Sequence, residues 1–175
     1  MRNVKMFVDL SSSDTGITLL DETTNDVFCF DIKISDFKKV HDKNERALLK
    51  IQDFDKKLDI ALSSCFNITS VFIESPFVNK SFLNSSEMVL KMHGFFMCKF
   101  KNLHFSFITP CEIKKIVTGK GNANKEEVID SIKSRGYNLD NAGKSNDNIY
   151  DSFAILICYY HQNDKEMTNL NIHVI

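Results

Sequence analysis

The 175-residue chain has no tryptophan, only two prolines and only six glycines. So few chain breakers leave little room for long structured loops. No apolar run approaches the roughly 20 residues of a membrane span, and the N-terminus lacks the apolar stretch of a secretory signal. A soluble, intracellular (cytoplasmic) protein is expected, without membrane contact. The five cysteines, Cys29, Cys65, Cys98, Cys111 and Cys158, form no CxxC pair and no metal-ligand spacing. Their number is odd and most have apolar neighbours, so they read as reduced core residues rather than a disulfide framework. Excess positive charge is missing too. A formal net charge of −1 is not what a simple nucleic-acid-binding protein shows, and only an uneven distribution of charge is compatible with that role.

What is present is a globular composition, 43% hydrophobic and 26% charged, with 15 phenylalanines supplying much of the apolar content. This length and composition suit one domain with a real core and argue against disorder. Val4 to Leu10 reads as an apolar strand ending in an acid, Asp9. The polar turn Ser11–Gly16 leads to a strand over Ile17–Leu20, and a second turn leads to a third over Val27–Ile32. Short turns between three strands predict an antiparallel meander. A helical pattern follows from Lys43 to Cys65, with Ala47, Leu48, Ile51, Phe54, Leu58 and Ala61 at three- and four-residue steps. Ser70–Glu74 is a fourth strand, again ending in an acid. Helices are expected over 85–100, 110–117, 125–135 and 147–160, with a fifth strand at His104–Ile108. The order predicts an α/β fold: a mixed five-stranded sheet, three strands of meander plus two parallel strands, with helices on both faces. The core spans about residues 4–161. The polar tail beyond it ends in Asn171–Ile175, which either frays or packs as a small edge segment.

The chemistry sits in the acids. Asp9 and Glu74 each place a carboxylate where an apolar strand leaves the core, which is costly unless the charge is paired or bound to a cation. Helix capping or a salt bridge is the plainer alternative for either acid alone. The third element is Asn146-Asp147-Asn148-Ile149-Tyr150-Asp151, in which Asp147, Asn148 and Asp151 can share one helical face. Asp147 or Asn146 suits an N-cap, but capping does not explain Asp151 among the apolar residues that follow. Together, Asp9, Glu74, Asp147 and Asp151 form a hard, oxygen-rich set suited to Mg²⁺ or Mn²⁺. Two such ions, roughly 4 Å apart, activate water and stabilise a leaving 3′ oxygen in phosphodiester hydrolysis.

The order Asp9, a Ser/Thr/Gly turn, Glu74 and acids on a C-terminal helix resembles the ribonuclease H-like nucleases. More closely, it is similar to Holliday-junction resolvases of the RuvC type, including their phage and poxviral relatives. The most specific segment is Thr109-Pro110, then Lys114-Lys115, Val117-Thr118-Gly119, Gly121, Ala123, Lys125 and Val128. With Asp147–Ala154 the likeness extends over about residues 4–161. The resemblance implies a homodimeric, Mg²⁺-dependent endonuclease with two ions per site that cuts four-way DNA junctions. It matches Asp9 and Glu74 to the first two metal ligands and Asp151 to the last. Where bacterial members carry an acid or histidine three residues before the final Asp, this chain has Asn148. Either Asp147 or the carbonyl of Asn148 is then the remaining ligand, with Asp147 favoured for its charge.

Lys114, Lys115, Lys120 and Lys125 supply local positive charge for DNA, with Lys133 and Arg135 on the next helix. A solvated face is the alternative reading. Gly119 and Gly121 would let backbone come close to the sugar-phosphate chain. Phe77, just after Glu74, reads either as a wedge into the junction or as a covered loop. Met88, Leu90, Met92, Phe95, Phe96 and Met97 exceed what one packed helix face needs, and the remainder suits a dimer interface. The five histidines are isolated and read as structural. Two other readings stand beside the resolvase: a nuclease for other branched DNA or RNA–DNA hybrids, and a non-catalytic junction-binding member. Convergence of Asp9, Glu74 and Asp151 on one site discriminates against the last.

Overall fold

The computed structural model of the chain describes residues 1–63, 65–76, 83–140 and 146–175. Three strands, β1 (Arg2–Asp9), β2 (Asp14–Asp21) and β3 (Asp26–Lys33), open the fold. They are followed by α1 (Lys43–Leu62), β4 (Phe66–Glu74), α2 (Leu83–Lys99) and β5 (His104–Ile108). The chain closes with α3 (Pro110–Thr118), α4 (Lys125–Ser134), α5 (Asp147–Gln162) and β6 (Asn171–Val174). The sheet runs β5-β4-β1-β2-β3-β6. The meander β1-β2-β3 is antiparallel, while β4 on β1, β5 on β4 and β6 on β3 are parallel.

Both faces are covered, as expected from near-continuous apolar runs such as Phe7-Val8 and Val71-Phe72-Ile73. On one face Val4, Met6, Val8, Ile17 and Leu19 pack against Phe54 and Leu58 of α1 and Met92 and Phe96 of α2. On the other, Phe7, Leu20, Phe72 and Ile108 pack against α3, α4 and above all α5, whose Ile149 to Tyr160 is almost wholly buried. No helix among the described residues is long and apolar enough to cross a membrane.

Three expectations need correction. The sheet has six strands, not five, because Asn171–Val174 pairs with Asp26–Cys29. Its Asn-Ile-His-Val alternation is too short and polar to stand out, and the pairing is secured by Ile172 and Val174 packing on the core. The second strand begins at Asp14 rather than Ile17, so Gly16 belongs to the ladder and not to the turn. Finally, only Cys29 and Cys158 are buried, whereas Cys65, Cys98 and Cys111 are exposed. Apolar sequence neighbours do not determine which way a side chain at a helix or strand end points.

One rung of this sheet sets the geometry that matters. Asp9 pairs with Gly16, Gly16 with Asp31, and the β1–β4 register that aligns Val8 with Ile73 brings Asp9 beside Glu74. By the two-residue period of strands, these residues share the face that carries Phe7 and Phe72. The start of α5 lies across that rung. The side-chain amide of Asn146 donates to Asp31 Oδ1 at 2.8 Å, which is why Asn146 makes no side-chain cap for its own helix. Asn148 presses its backbone on Gly16: a Cβ there would lie 1.8 Å from the Asn148 carbonyl oxygen. Further along, Ser152 and Thr18 share a buried hydrogen bond of 2.9 Å.

Gly16→Ala should therefore destabilise the protein by at least about 3 kcal/mol, because the clash is with backbone and no side chain can rotate away. For a chain of this size that lowers Tm by roughly 10 °C. A thermal melt in which the variant lies within about 2 °C of wild type would mean that α5 does not sit on β2 in this way.

Candidate active site

Asp9 and Glu74 end neighbouring parallel strands, and α5 brings Asp151 over them. The three carboxylates line one cleft of about 240 Å³ with Lys114, Lys125 and Ala154. Two constraints deliver them: the β1–β4 register for the first two and the Gly16 contact for the third. Behind the sheet, buried His93 of α2 braces the same point. One ring nitrogen lies 3.1 Å from the Glu74 carbonyl oxygen and the other 2.9 Å from that of Val89.

The electrostatics are strained. Burial pushes the Asp9 carboxyl up to about 7, the charge of Asp151 adds to the effect, and Lys125 opposes it. Burial likewise pushes Glu74 up to about 8, helped by Asp9 and Asp151 and opposed by Lys114 and Lys125. Asp151 is also raised, since burial outweighs its hydrogen bond from Lys125. Lys125 Nζ lies 2.8 Å from Asp151 and 3.7 Å from Asp147. Burial weakens the Lys125 ammonium, but the hydrogen bond to Asp151 and the surrounding carboxylates more than compensate, and its pKa is raised. The donor set fits a hard divalent cation: carboxylate oxygens, crowded and short of positive charge. As they stand, no three acidic, histidine or cysteine side chains among the described residues are close enough to clasp one ion. The ammonium of Lys125 stands among them.

The other residues singled out from sequence fall in several places. Asp147 is exposed and reaches the cleft only through Lys125. Asn148 is half-buried, its backbone carbonyl packed on Gly16. Lys114 lines the cleft, Lys115 is exposed one position on, and Lys120 pairs with Glu127 at 3.2 Å. Lys133 and Arg135 hold the fold together, the first on Asp140 at 2.9 Å and the second on the Val117 carbonyl at 2.6 Å. Phe77 lies outside the described residues. The two loop glycines serve the chain itself. Gly119 ends α3 at φ 80°, a conformation that costs glycine little, and Gly121 sits where a Cβ would meet Cys111 Sγ at 2.7 Å.

Sequence reasoning missed the positioning roles of Gly16, Asp31 and His93, which depend on register and on contacts between distant segments. It also missed the groove that continues from the cleft. This space of about 650 Å³ shares Glu74, Pro110 and Lys114 with the cleft and runs past Thr109 and Cys111 to Gly121. It passes the N-terminus of α3, where Thr109 caps the helix by accepting from the Glu112 N–H and the positive end of the helix dipole favours an anion.

The family model for the crossover junction endodeoxyribonuclease RuvC matches residues 6–159. No curated protein matches the sequence significantly. Among solved structures, Thermus thermophilus RuvC in complex with a Holliday junction substrate is similar, with a TM-score of 0.64 and 17% identity. That similarity covers 92% of this chain and 96% of the other. A structure of Thermus thermophilus RuvC gives a TM-score of 0.61 at 17% identity, covering 93% and 97%. The yeast mitochondrial Holliday junction resolvase gives 0.51 at 11% identity, covering 89% and 76%. At these identities the likeness concerns the fold.

Asp9 and Glu74 bind protons more tightly folded than unfolded, where carboxyls titrate near 4. The folded state is thus favoured while they stay protonated and loses stability as pH rises from about 4 through their folded values. Without divalent metal, Tm should fall between about pH 5 and about pH 9, by an amount worth on the order of a few kcal/mol. The double variant Asp9→Asn/Glu74→Gln should flatten that decline. Equal slopes for variant and wild type in a pH series of melts would show that these acids are not strained.

Proposed function

Since the chain belongs to the crossover junction endodeoxyribonuclease RuvC family, we propose that its three buried carboxylates and Lys125 form the site that cuts four-way DNA junctions. Members of this family are divalent-metal-dependent endodeoxyribonucleases with a ribonuclease H-like fold. The observation that carries the site assignment is the convergence of Asp9, Glu74 and Asp151 on one cleft that adjoins a larger groove through Glu74, Pro110 and Lys114. A non-catalytic binding protein has no use for carboxylates crowded at such electrostatic cost.

Asp9, Glu74 and Asp151 would hold the metal, with Asp147 completing the set. Asp147 is favoured over Asn148 because its carboxylate already shares the Lys125 ammonium with Asp151, while the Asn148 side chain offers only a neutral amide oxygen. When bound, two Mg²⁺ ions (or Mn²⁺) supply the charge that phosphodiester hydrolysis needs at the attacking water and the leaving 3′ oxygen. Everything else is the work of the chain. The strand ends keep the acids rigid and largely dry, which strengthens each charge that faces the scissile phosphate. Lys114 and Lys125 attract that phosphate and orient it. The groove past the α3 N-terminus guides the strand on one side of the cut. Lys115 and Lys120, further out, add attraction without touching the chemistry. Leu90 and Met97 of α2, 44% and 43% exposed, support pairing of two copies, which would match two sites to two strands of a junction.

The test is cleavage of a synthetic four-way junction with and without Mg²⁺, against linear duplex and RNA–DNA hybrid. Asp9→Asn, Glu74→Gln and Asp151→Asn should each lower the cutting rate by roughly a thousandfold or more, about 4 kcal/mol of transition-state stabilisation. Junction affinity should stay within a few-fold. Any one of the three that cuts at the wild-type rate lies outside the site.

Asp147→Asn should cost roughly a hundredfold in rate, while Asn148→Ala should stay within about tenfold. If the two results are reversed, the amide carbonyl of Asn148 is the ligand. Near-wild-type rates for both would leave a three-carboxylate site.

A further inference from the structure

A second concentration of positive charge lies away from the site acids. Lys43, Arg46 and Lys50 follow at three- and four-residue spacing on the first half of α1, so they share one helix face. Lys91 of α2 faces them, and Ser12 of the β1–β2 turn closes the space. Together they line a cleft of about 280 Å³ whose only acid is Glu87. Lys50 Nζ donates to the Ser12 carbonyl at 3.0 Å, and Lys91 Nζ lies 2.7 Å from Glu87 and 3.2 Å from Asn44 Oδ1. Arg46 Nε donates to the Val40 carbonyl at 2.9 Å. One carboxylate against four cations leaves a formal excess of three positive charges in a chain whose total is −1.

This placement does not serve helix α1. Cations near a helix N-terminus oppose its dipole; Asp42 as N-cap and Glu45 in the first turn serve that end without lining the cleft, while Asp53, Asp55 and Asp59 lie in the second half. There they pair internally, Asp53 with Lys57 and the other two with Lys99. The lining itself still holds four cations to one carboxylate, an imbalance that suits an anion from outside.

Its position says which anion. Ser12 is three residues past Asp9, and α1 and α2 each begin at the end of the sheet where β1 and β4 finish. The basic cleft and the acid cleft therefore share one end of the sheet but lie on its opposite faces. DNA reaching both must turn around the sheet end. A straight duplex, stiff over roughly 150 base pairs, does not do so, whereas arms leaving a branch point diverge in this way. We propose that the cleft between α1, α2 and the β1–β2 turn binds backbone phosphates of an arm that is not being cut, and so favours branched over linear DNA. This rests on the nuclease reading above.

The experiment compares wild type with Lys43→Gln/Lys91→Gln on a four-way junction and on linear duplex of the same length, with binding measured in EDTA across a salt series. Junction affinity should fall roughly ten- to a hundredfold at about 0.1 M salt, and the slope of log K on log salt should become shallower by about 2, two phosphate contacts being lost. Affinity for linear duplex should change little. In Mg²⁺, the rate at saturating junction should match wild type while KM rises. Lys56→Gln/Lys101→Gln, the same charge loss elsewhere, should leave all five quantities unchanged, and Lys43→Arg/Lys91→Arg should keep them at wild-type values. If the double variant melts early, Lys43→Gln alone should show about half the slope change. Equal losses on junction and duplex, or an unchanged slope, overturn the proposal. A wild-type chain that cuts the junction while the variant keeps its slope sinks this inference alone, whereas a wild-type chain that neither binds nor cuts it sinks the nuclease reading as well.

Discussion

The contact of the α5 backbone with Gly16 is the constraint on which the remainder of the candidate site depends. A sheet can bring two strand ends together through register alone, and it does so for Asp9 and Glu74. It cannot supply a carboxylate from above. That requires a helix seated close enough for a short aspartate side chain to reach the same space, and a β-carbon at position 16 would forbid it. The Asn146–Asp31 bond and the Ser152–Thr18 bond lock the helix on either side of this contact, so its lateral position is fixed as well as its height.

Much of this could be read from the sequence, and the reasons are local. Asp9 and Glu74 announce themselves because an acid closing an apolar strand has an energetic cost that needs a reason. The helices α3, α4 and α5 carry their starts in the chain, as Thr109-Pro110, Asn124 with Glu127, and the acids before Tyr150. What was illegible depended on pairing between distant segments. Gly16 looks like a turn glycine until the register aligns it with Asp9. His93 looks like one more isolated histidine until α2 is laid behind β4. The last strand is four residues with two polar members, below any pattern threshold, and exists because the edge of β3 is available to it. The basic cleft is assembled from three segments, none of which is strongly basic by itself.

Charge in this protein is clustered locally. Asp9, Glu74 and Asp151 gather under α5, Lys43, Arg46, Lys50 and Lys91 gather on the other face, and the lysines of the α3–α4 region lie between groove and solvent. A net value near zero conceals this arrangement, which is why overall charge is a poor guide to nucleic-acid contact where acids and cations cluster separately.

Lys125 gives the site a further property. A protein whose metal ligands repel one another usually depends on the ion to finish folding, as small zinc domains do. Here an ammonium tethered to the first turn of α4 already stands beside Asp151 at 2.8 Å. The carboxylates are thus gathered by a cation that the chain itself encodes. On the reading proposed above, assembly of the fold and recruitment of an ion become separate events, because the charge of the cluster is already countered from within the chain.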